Sequence, residues 1–240
     1  MRYEYILFDA DNTLFDFDGA QRLAFFETLE KMGIEQNESL LESYHGINLS
    51  WWKKLERAEV DHAGLGVGRF EEFLEKHGIS GPDPAVMNEH YRERLGSHGI
   101  LLPGSYELIE KLTGLCRIYI VTNGMSKTQH SRFDDSPLRR MTEDIFVSED
   151  IGFEKPDRRF FEYVLEKISE YCPFMTEDKV LVVGDSLSSD IKGANNAGLD
   201  SCLVDRNGTF DRAAAPADEQ PTYVVGSLEE VEGIVLGQEA

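Results

Sequence analysis

Short apolar runs alternate with amphipathic helical patterns along most of this chain. Runs typical of buried strands lie at residues 5–8, 118–121, 180–183 and 201–204, with further strands expected at 145–147 and 223–225. Nearly continuous apolar runs of this length favour a parallel sheet that is covered on both faces. Helical patterns lie between and after them, at residues 101–115, 157–171, 188–197 and 228–236. The alternation predicts an α/β fold, a doubly wound parallel sheet.

The alternation is interrupted once, directly after the first strand. Helical patterns without a convincing strand follow at residues 20–32, 38–59, 70–77 and 84–95. A structureless connection of that length would be unusual in a compact domain. We therefore predict an inserted helical cap domain at residues 16–98 and an α/β core made of residues 1–15 and 99–240. The glycine-rich stretch at 64–68 is expected to be a flexible loop between two cap helices.

The composition limits which binding partners and which cellular compartment we expect for this protein. The 240 residues include 45 acidic and 24 basic ones, which gives a net charge of −21. Such a charge repels phosphate polymers and anionic lipid, so neither a nucleic acid polymer nor a membrane is expected as a partner. Three widely spaced cysteines argue against a disulfide framework or a zinc site. The start of the chain lacks signal-peptide features, and we expect a cytoplasmic protein. The sequence leaves the oligomeric state open.

Two aspartates directly follow the first predicted strand, at Asp9 and Asp11. The carboxyl ends of parallel strands border the crevice where ligands bind in such sheets. Carboxylates this close repel each other unless a cation lies between them or one is protonated. The pair therefore suits a divalent metal, a nucleophile and a general acid–base. A solvated turn is the ordinary alternative, because Asp and Asn are common in turns.

Further polar groups follow the later strands. Thr122-Asn123-Gly124 ends the second one, Lys155 precedes a helix, and Asp185 and Asp190 follow the run at 180–183. Each has an ordinary explanation, as a turn, a solvated lysine or a helix cap. Their shared position at strand ends of one sheet is what indicates a common site.

The order of these motifs resembles the haloacid dehalogenase superfamily, in its branch of Mg²⁺-dependent phosphatases. Residues 8–15, 102–104, 121–125 and 147–156 look more closely like the house-cleaning pyrimidine 5′-nucleotidase family within it. The helical insertion is similar in position to the mobile cap of one subgroup. The cap itself resembles the nucleotidases only at Gly68-Arg69-Phe70-Glu71.

The resemblance implies a role for each motif residue. Asp9 would be the nucleophile that forms an aspartyl-phosphate, and Asp11 the general acid–base. Mg²⁺ would be held by Asp9, by the backbone carbonyl of Asp11 and by Asp185. The residues that would grip the phosphoryl oxygens are Thr122, Asn123 and Lys155, and Asp190 would orient Lys155 or a metal-bound water.

The cap residues offer candidate contacts to the rest of the substrate. They are Phe17, Trp51, Trp52 and Arg69. Adjacent residues on a helix point in different directions, so at most one of the two tryptophans is expected to face the cleft. The expected substrate is a small phosphorylated metabolite, with a nucleoside 5′-monophosphate favoured.

Alternatives on the same core are a sugar-phosphate phosphatase, a phosphoglucomutase-like phosphoryl transferase and a non-catalytic Mg²⁺-binding scaffold. Asp11 argues against the dehalogenases and phosphonatases of the superfamily, because these lack an aspartate at that position of the motif.

Overall fold

A parallel six-stranded sheet forms the centre of the protein, which a computed structural model describes for residues 1–238. The strands are β1 (Tyr5–Phe8), β2 (Arg117–Thr122), β3 (Asp144–Val147), β4 (Val180–Gly184), β5 (Asp200–Val204) and β6 (Tyr223–Val225). They lie in the order β3-β2-β1-β4-β5-β6. The predicted doubly wound α/β fold is confirmed, and each strand lies within one residue of its predicted bounds.

Ten α-helices accompany the sheet in the described residues. Their bounds are α1 (Phe17–Lys31), α2 (Glu38–Glu56), α3 (His62–His77), α4 (Pro84–Ser97), α5 (Ser105–Leu112), α6 (Ser126–Asp134), α7 (Ser148–Ile151), α8 (Arg158–Tyr171), α9 (Lys192–Ala197) and α10 (Val231–Leu236). A π-helical turn at Leu187–Ile191 leads into α9. None of these helices is long and apolar enough to cross a membrane.

Both faces of the sheet are buried, which explains its continuous apolar strands. Alternate residues of β1 point to opposite sides, so Ile6 and Phe8 contact one apolar cluster while Leu7 contacts the other. Helices α5 and α10 cover the first side, and Phe160 and Phe161 of α8 cover the second. The central strands β1 and β4 are therefore fixed from both sides, and the residues that follow them have a rigid base.

Helices α1 to α4, between β1 and β2, enclose an aromatic cluster of their own. Phe25 stacks on Tyr44 with ring centroids 4.4 Å apart, and Tyr44 stacks in turn on Phe70 at 5.1 Å. Phe73 and Tyr91 meet these rings edge to face. This separate core fits the predicted cap, and the domain bounds at 16–98 stay a prediction.

The prediction of a flexible loop at residues 64–68 is wrong, because these residues belong to α3. The helix begins early because Asp61 accepts a hydrogen bond from the backbone N–H of Gly64, at 2.7 Å. Gly68 faces the ring of Trp51, and a Cβ built there would lie 2.1 Å from a ring carbon. The glycine therefore marks a close contact between helices α2 and α3 rather than a break in the chain.

Several predicted helix bounds also differ from the structure. The helix expected at 101–115 is α5, which spans only 105–112 because Pro103 and the left-handed Gly104 (φ 83°) precede it. Helix α2 ends three residues before the predicted 59. Helix α6 was not predicted at all, and it lies between the sheet and the cap.

Candidate active site

The site begins where β1, β2 and β4 end side by side. Asp9 follows β1, and its backbone N–H donates to the carbonyl of Val183 in β4, at 2.8 Å. Asn12 adopts a left-handed conformation (φ 59°), which asparagine tolerates better than most residues. The chain turns there, and Asp9 and Asp11 line one cavity.

Lys155 is the charged centre of the site. Its buried Nζ donates to Asp9 Oδ1 and Asp190 Oδ1, at 2.7 Å each, and to the carbonyl of Val121 at 2.9 Å. The Asn123 carboxamide fixes the main chain of Lys155 from both sides, because Nδ2 donates to its carbonyl at 2.7 Å and Oδ1 accepts from its N–H at 2.8 Å. The structure thus places the Asn123 side chain on Lys155, and the lysine on Asp9.

Burial shifts the pKa values of the ionisable groups in the site. Burial would lower the pKa of Lys155, but the Asp190 and Asp9 carboxylates raise it above its usual value, so the lysine stays charged. Burial raises the pKa of Asp9 well above its usual value, against the opposing effect of Lys155. Burial also raises the pKa of Asp185 to about 7, with a further contribution from Asp190. These carboxyl groups lack enough positive charge around them to offset their burial.

Three carboxylates offer oxygens within 4.8 Å of one another, from Asp9, Asp185 and Asp190. Both oxygens of Asp190 already accept hydrogen bonds, Oδ1 from Lys155 and Oδ2 from the backbone N–H of Ser186 at 3.1 Å. Asp9 and Asp185 each keep one oxygen without a hydrogen bond from the described residues. One or two carboxylates completed by water and a substrate phosphate are the usual protein set for Mg²⁺. The residues present therefore fit Mg²⁺ at Asp9 and Asp185.

Asp11 is held by two side chains that the sequence did not single out. Arg132 Nη2 donates to Asp11 Oδ1, and Gln129 Nε2 donates to Oδ2 at 2.7 Å. Both residues lie on α6, three positions apart and therefore on the same face. This spacing of three positions is the one feature of the sequence that indicates that Gln129 and Arg132 act together.

Thr122 is connected to the same network. Its hydroxyl oxygen accepts from Gln129 Nε2 at 3.0 Å and from the backbone N–H of Gly124 at 3.1 Å. The oxygen's acceptor positions are thus in use, and its proton is left to donate to a ligand. Position 124 has no room for a side chain, because a Cβ there would lie 1.8 Å from Gln129 Nε2.

A cavity of about 260 Å³ lies over these groups. Asp9, Thr122 and Lys155 form its polar floor, and Phe17 and Trp52 stand on its cap side. A larger groove, of about 590 Å³, borders Asp185 from the other side but is not lined by Asp9, Thr122 or Lys155. The smaller cavity is therefore the one that can bring a ligand to the charged centre.

The other two cap candidates lie elsewhere. Trp51 donates from Nε1 to Glu72 at 2.8 Å and packs on Gly68, within the cap. Arg69 is buried beside the cavity rather than in it. Its Nη1 donates to Asn48 Oδ1 at 2.7 Å, and its Nη2 to Asn88 Oδ1 at 3.0 Å.

Comparison with known proteins gives consistent matches. The family described as haloacid dehalogenase-like hydrolases matches residues 3–198. The HAD-hydrolase YfnB of Bacillus subtilis is 36% identical over 96% of this chain and 94% of its own length. The crystal structure of YfnB bound to magnesium has a TM-score of 0.88 and covers 98% of this chain and 99% of its own.

Two relatives carry a more specific description. The pyrimidine 5′-nucleotidase PynA of Streptococcus pneumoniae is 31% identical over 96% of this chain and 94% of its own length. The pyrimidine 5′-nucleotidase YjjG of Escherichia coli is 30% identical over 98% of this chain and 99% of its own length.

Proposed function

The chain belongs to the haloacid dehalogenase-like hydrolases, and from this membership we propose that it is a Mg²⁺-dependent phosphatase of a nucleoside 5′-monophosphate. The observation that carries the proposal is the contact of Lys155 with Asp9, next to a carboxylate oxygen of Asp9 that accepts no hydrogen bond from the described residues. A cation beside an available carboxylate oxygen is the arrangement that a nucleophile for an anionic substrate requires.

The first step is attack by Asp9 on the phosphorus atom. A bond forms between a carboxylate oxygen of Asp9 and phosphorus while the ester bond breaks, which gives an aspartyl-phosphate and an alcohol. A phosphate monoester dianion repels a carboxylate, so Lys155 must offset charge before the two can meet. The hydroxyl of Thr122 would donate to a phosphoryl oxygen. Mg²⁺, held by Asp9, Asp185 and the Asp11 carbonyl, would supply further positive charge when bound.

Asp11 would handle the protons of both steps. It would donate one to the leaving oxygen, and then accept one from the water that hydrolyses the aspartyl-phosphate. Arg132 and Gln129 keep its carboxyl group at the edge of the cavity, where the leaving oxygen must lie. Because Gln129 also contacts Thr122, the proton donor and the phosphoryl-binding hydroxyl are positioned by one side chain.

The cavity supports a small substrate with a ring. Its volume of about 260 Å³ is below the usual range of about 300–1,000 Å³ for ligand pockets. Phe17, Leu49 and Trp52 form its apolar side and offer surfaces on which a nucleobase can pack. The similarity to PynA and YjjG supports a nucleotide in particular.

A phosphate-release screen tests the proposal. The protein with Mg²⁺ is incubated with nucleoside monophosphates, sugar phosphates and phospho-amino acids, and Asp9→Asn serves as the blank. We expect release from a pyrimidine monophosphate, its loss with EDTA and its return with added Mg²⁺. Activity retained by Asp9→Asn, or activity independent of metal, would refute the mechanism. A preference for sugar phosphates would keep the phosphatase and refute the nucleotide substrate.

A further inference from the structure

Arg69 is a buried cation that forms no ion pair with a carboxylate in the part of the chain that the structure describes. The residue is only 2% exposed. Its hydrogen bonds go to Asn48 and Asn88, which are neutral amides. The ring of Tyr91, 4.8 Å from the guanidinium carbon, gives a weaker cation–π contact. A buried charge normally has an oppositely charged partner, so this site is incomplete in the protein alone.

Arg69 lines a small second cavity between the cap and the core. Arg92 of α4 and Arg132 of α6 line it as well, and Asp11 is the one acidic residue among the described residues that line it. Arg132 is paired with Asp11, and Arg92 lies 3.9 Å from Glu149. Three arginines thus line one space of about 20 Å³, which has room for about one oxygen atom, in a protein whose net charge is −21.

Several donors of these three guanidinium groups have no acceptor among the described residues. The buried Nε atoms of Arg69, Arg92 and Arg132 have no hydrogen-bond partner among the described residues, and neither has Nη1 of Arg132. Guanidinium groups can only donate, so an acceptor from outside the chain is the group that would satisfy them.

The second cavity adjoins the one that contains Asp9. Asp11, Phe17, Trp52 and Gly124 line both of them. A substrate whose phosphorus lies against Asp9, with the ester bond still intact, would place its ester oxygen near Asp11, and the rest of the leaving group would then extend towards the arginines.

We propose that Arg69, with Arg92 and Arg132 beside it, forms a subsite for an acceptor oxygen on the leaving group of the substrate. That oxygen belongs either to a carbonyl of a nucleobase or to a carboxylate. The inference rests on the proposed phosphatase function and adds to it the chemistry by which the substrate is chosen. A role of Arg69 that is confined to joining α2 and α4 through Asn48 and Asn88 is the alternative that the test must separate.

The test compares KM and kcat for four esters with the Mg²⁺-loaded protein. Uridine 5′-monophosphate offers base carbonyls, 3-phosphoglycerate offers a carboxylate, ribose 5-phosphate has the sugar without a base, and phenyl phosphate has no acceptor on its leaving group. For Arg69→Met we expect KM to rise about tenfold to a hundredfold for uridine 5′-monophosphate or for 3-phosphoglycerate, as for a lost hydrogen bond to a charged group. The kcat should change little, because the contact binds ground state and transition state alike.

Phenyl phosphate reports on the fold and on the catalytic centre in the same variant. Its KM and kcat should stay near the wild-type values. Arg69→Lys keeps the charge but cannot donate to both asparagines and to a ligand, so a smaller rise in KM is expected; it serves if Arg69→Met does not fold. Arg94→Met is the matched control, because this half-buried arginine of α4 pairs with Glu27 and lines neither cavity.

The outcomes distinguish a base carbonyl from a carboxylate as the acceptor, and they distinguish failure of the subsite proposal from failure of the proposed phosphatase function. A selective rise for uridine 5′-monophosphate assigns a base carbonyl, and one for 3-phosphoglycerate assigns a carboxylate. Equal changes for all four esters, or no change for any, would overturn the subsite. Wild-type protein that releases phosphate from none of the four would refute the proposed function instead.

Discussion

Replacing Lys155 by methionine would leave two buried carboxylates without their shared cation. Asp9 is 7% exposed and Asp190 is 1% exposed, and both lie 2.7 Å from the ammonium group that the variant lacks. Breaking a buried ion pair by removing one partner costs about 3–5 kcal/mol. For a chain of this size, 1 kcal/mol corresponds to about 2–4 °C in Tm, so Lys155→Met should melt about 6–20 °C lower.

Thermal unfolding followed by circular dichroism, at pH 7.5 with EDTA, measures this loss. The double variant Lys155→Met/Asp190→Asn should recover part of it, because one of the two unpaired anions is then removed. Lys167→Met is the control, since that lysine is exposed and pairs with Glu170 on the surface of α8. A Lys155→Met protein that melts with the wild type would refute the view that the lysine offsets buried charge.

Four further outcomes are expected. Arg132→Gln should lower kcat about a hundredfold for an alkyl phosphate and less for p-nitrophenyl phosphate, because the p-nitrophenolate leaving group depends less on a proton from Asp11. Equal losses of kcat for the two esters would contradict the role of Arg132 in positioning Asp11. In EDTA, Tm should fall as the pH rises from 4 to 7, because the pKa of Asp185 is raised from 3.8 to about 7 and the folded state therefore binds the proton more tightly than the unfolded state. Added Mg²⁺ should raise Tm more at pH 8 than at pH 5, and Asp185→Asn should remove this difference. Gly68→Ala should lower the free energy of unfolding by about 1–3 kcal/mol, since its Cβ would displace Trp51; a denaturant titration measures the change.

The sheet and the residues at its strand ends could be predicted because one physical cause produces both signals. Strands covered on two faces must be apolar throughout, so residues 5–8 and 180–184 are recognisable without any partner. The polar residues that follow, such as Asp9 and Asp185, interrupt these runs where the strands reach the crevice. Sequence order then places them together, because the strands are parallel.

Helix α6 could not be predicted, because its buried face is mostly polar. Thr128, Gln129 and Arg132 are buried, and Phe133 is the one large apolar residue beside them. Hydrophobic periodicity detects a helix by an apolar stripe, and here hydrogen bonds to Asp11 and Thr122 replace most of that stripe. The polar side chains through which α6 contacts Asp11 and Thr122 are therefore the same ones that remove the apolar periodicity by which a helix is predicted.

The first turns of α3 were missed for a related reason. Glycine in a sequence indicates either a break or a close approach, and the partner that decides between them, Trp51, lies on another helix. Arg69 follows these glycines and is buried without a carboxylate, which hydrophobic periodicity cannot anticipate either. The two segments whose helices were misread thus supply Gln129, Arg132 and Arg69, and these side chains line the small cavity beside Asp11. Local rules fail most at functional sites, and the misread segments border the cavity in which we propose that an oxygen of the leaving group binds.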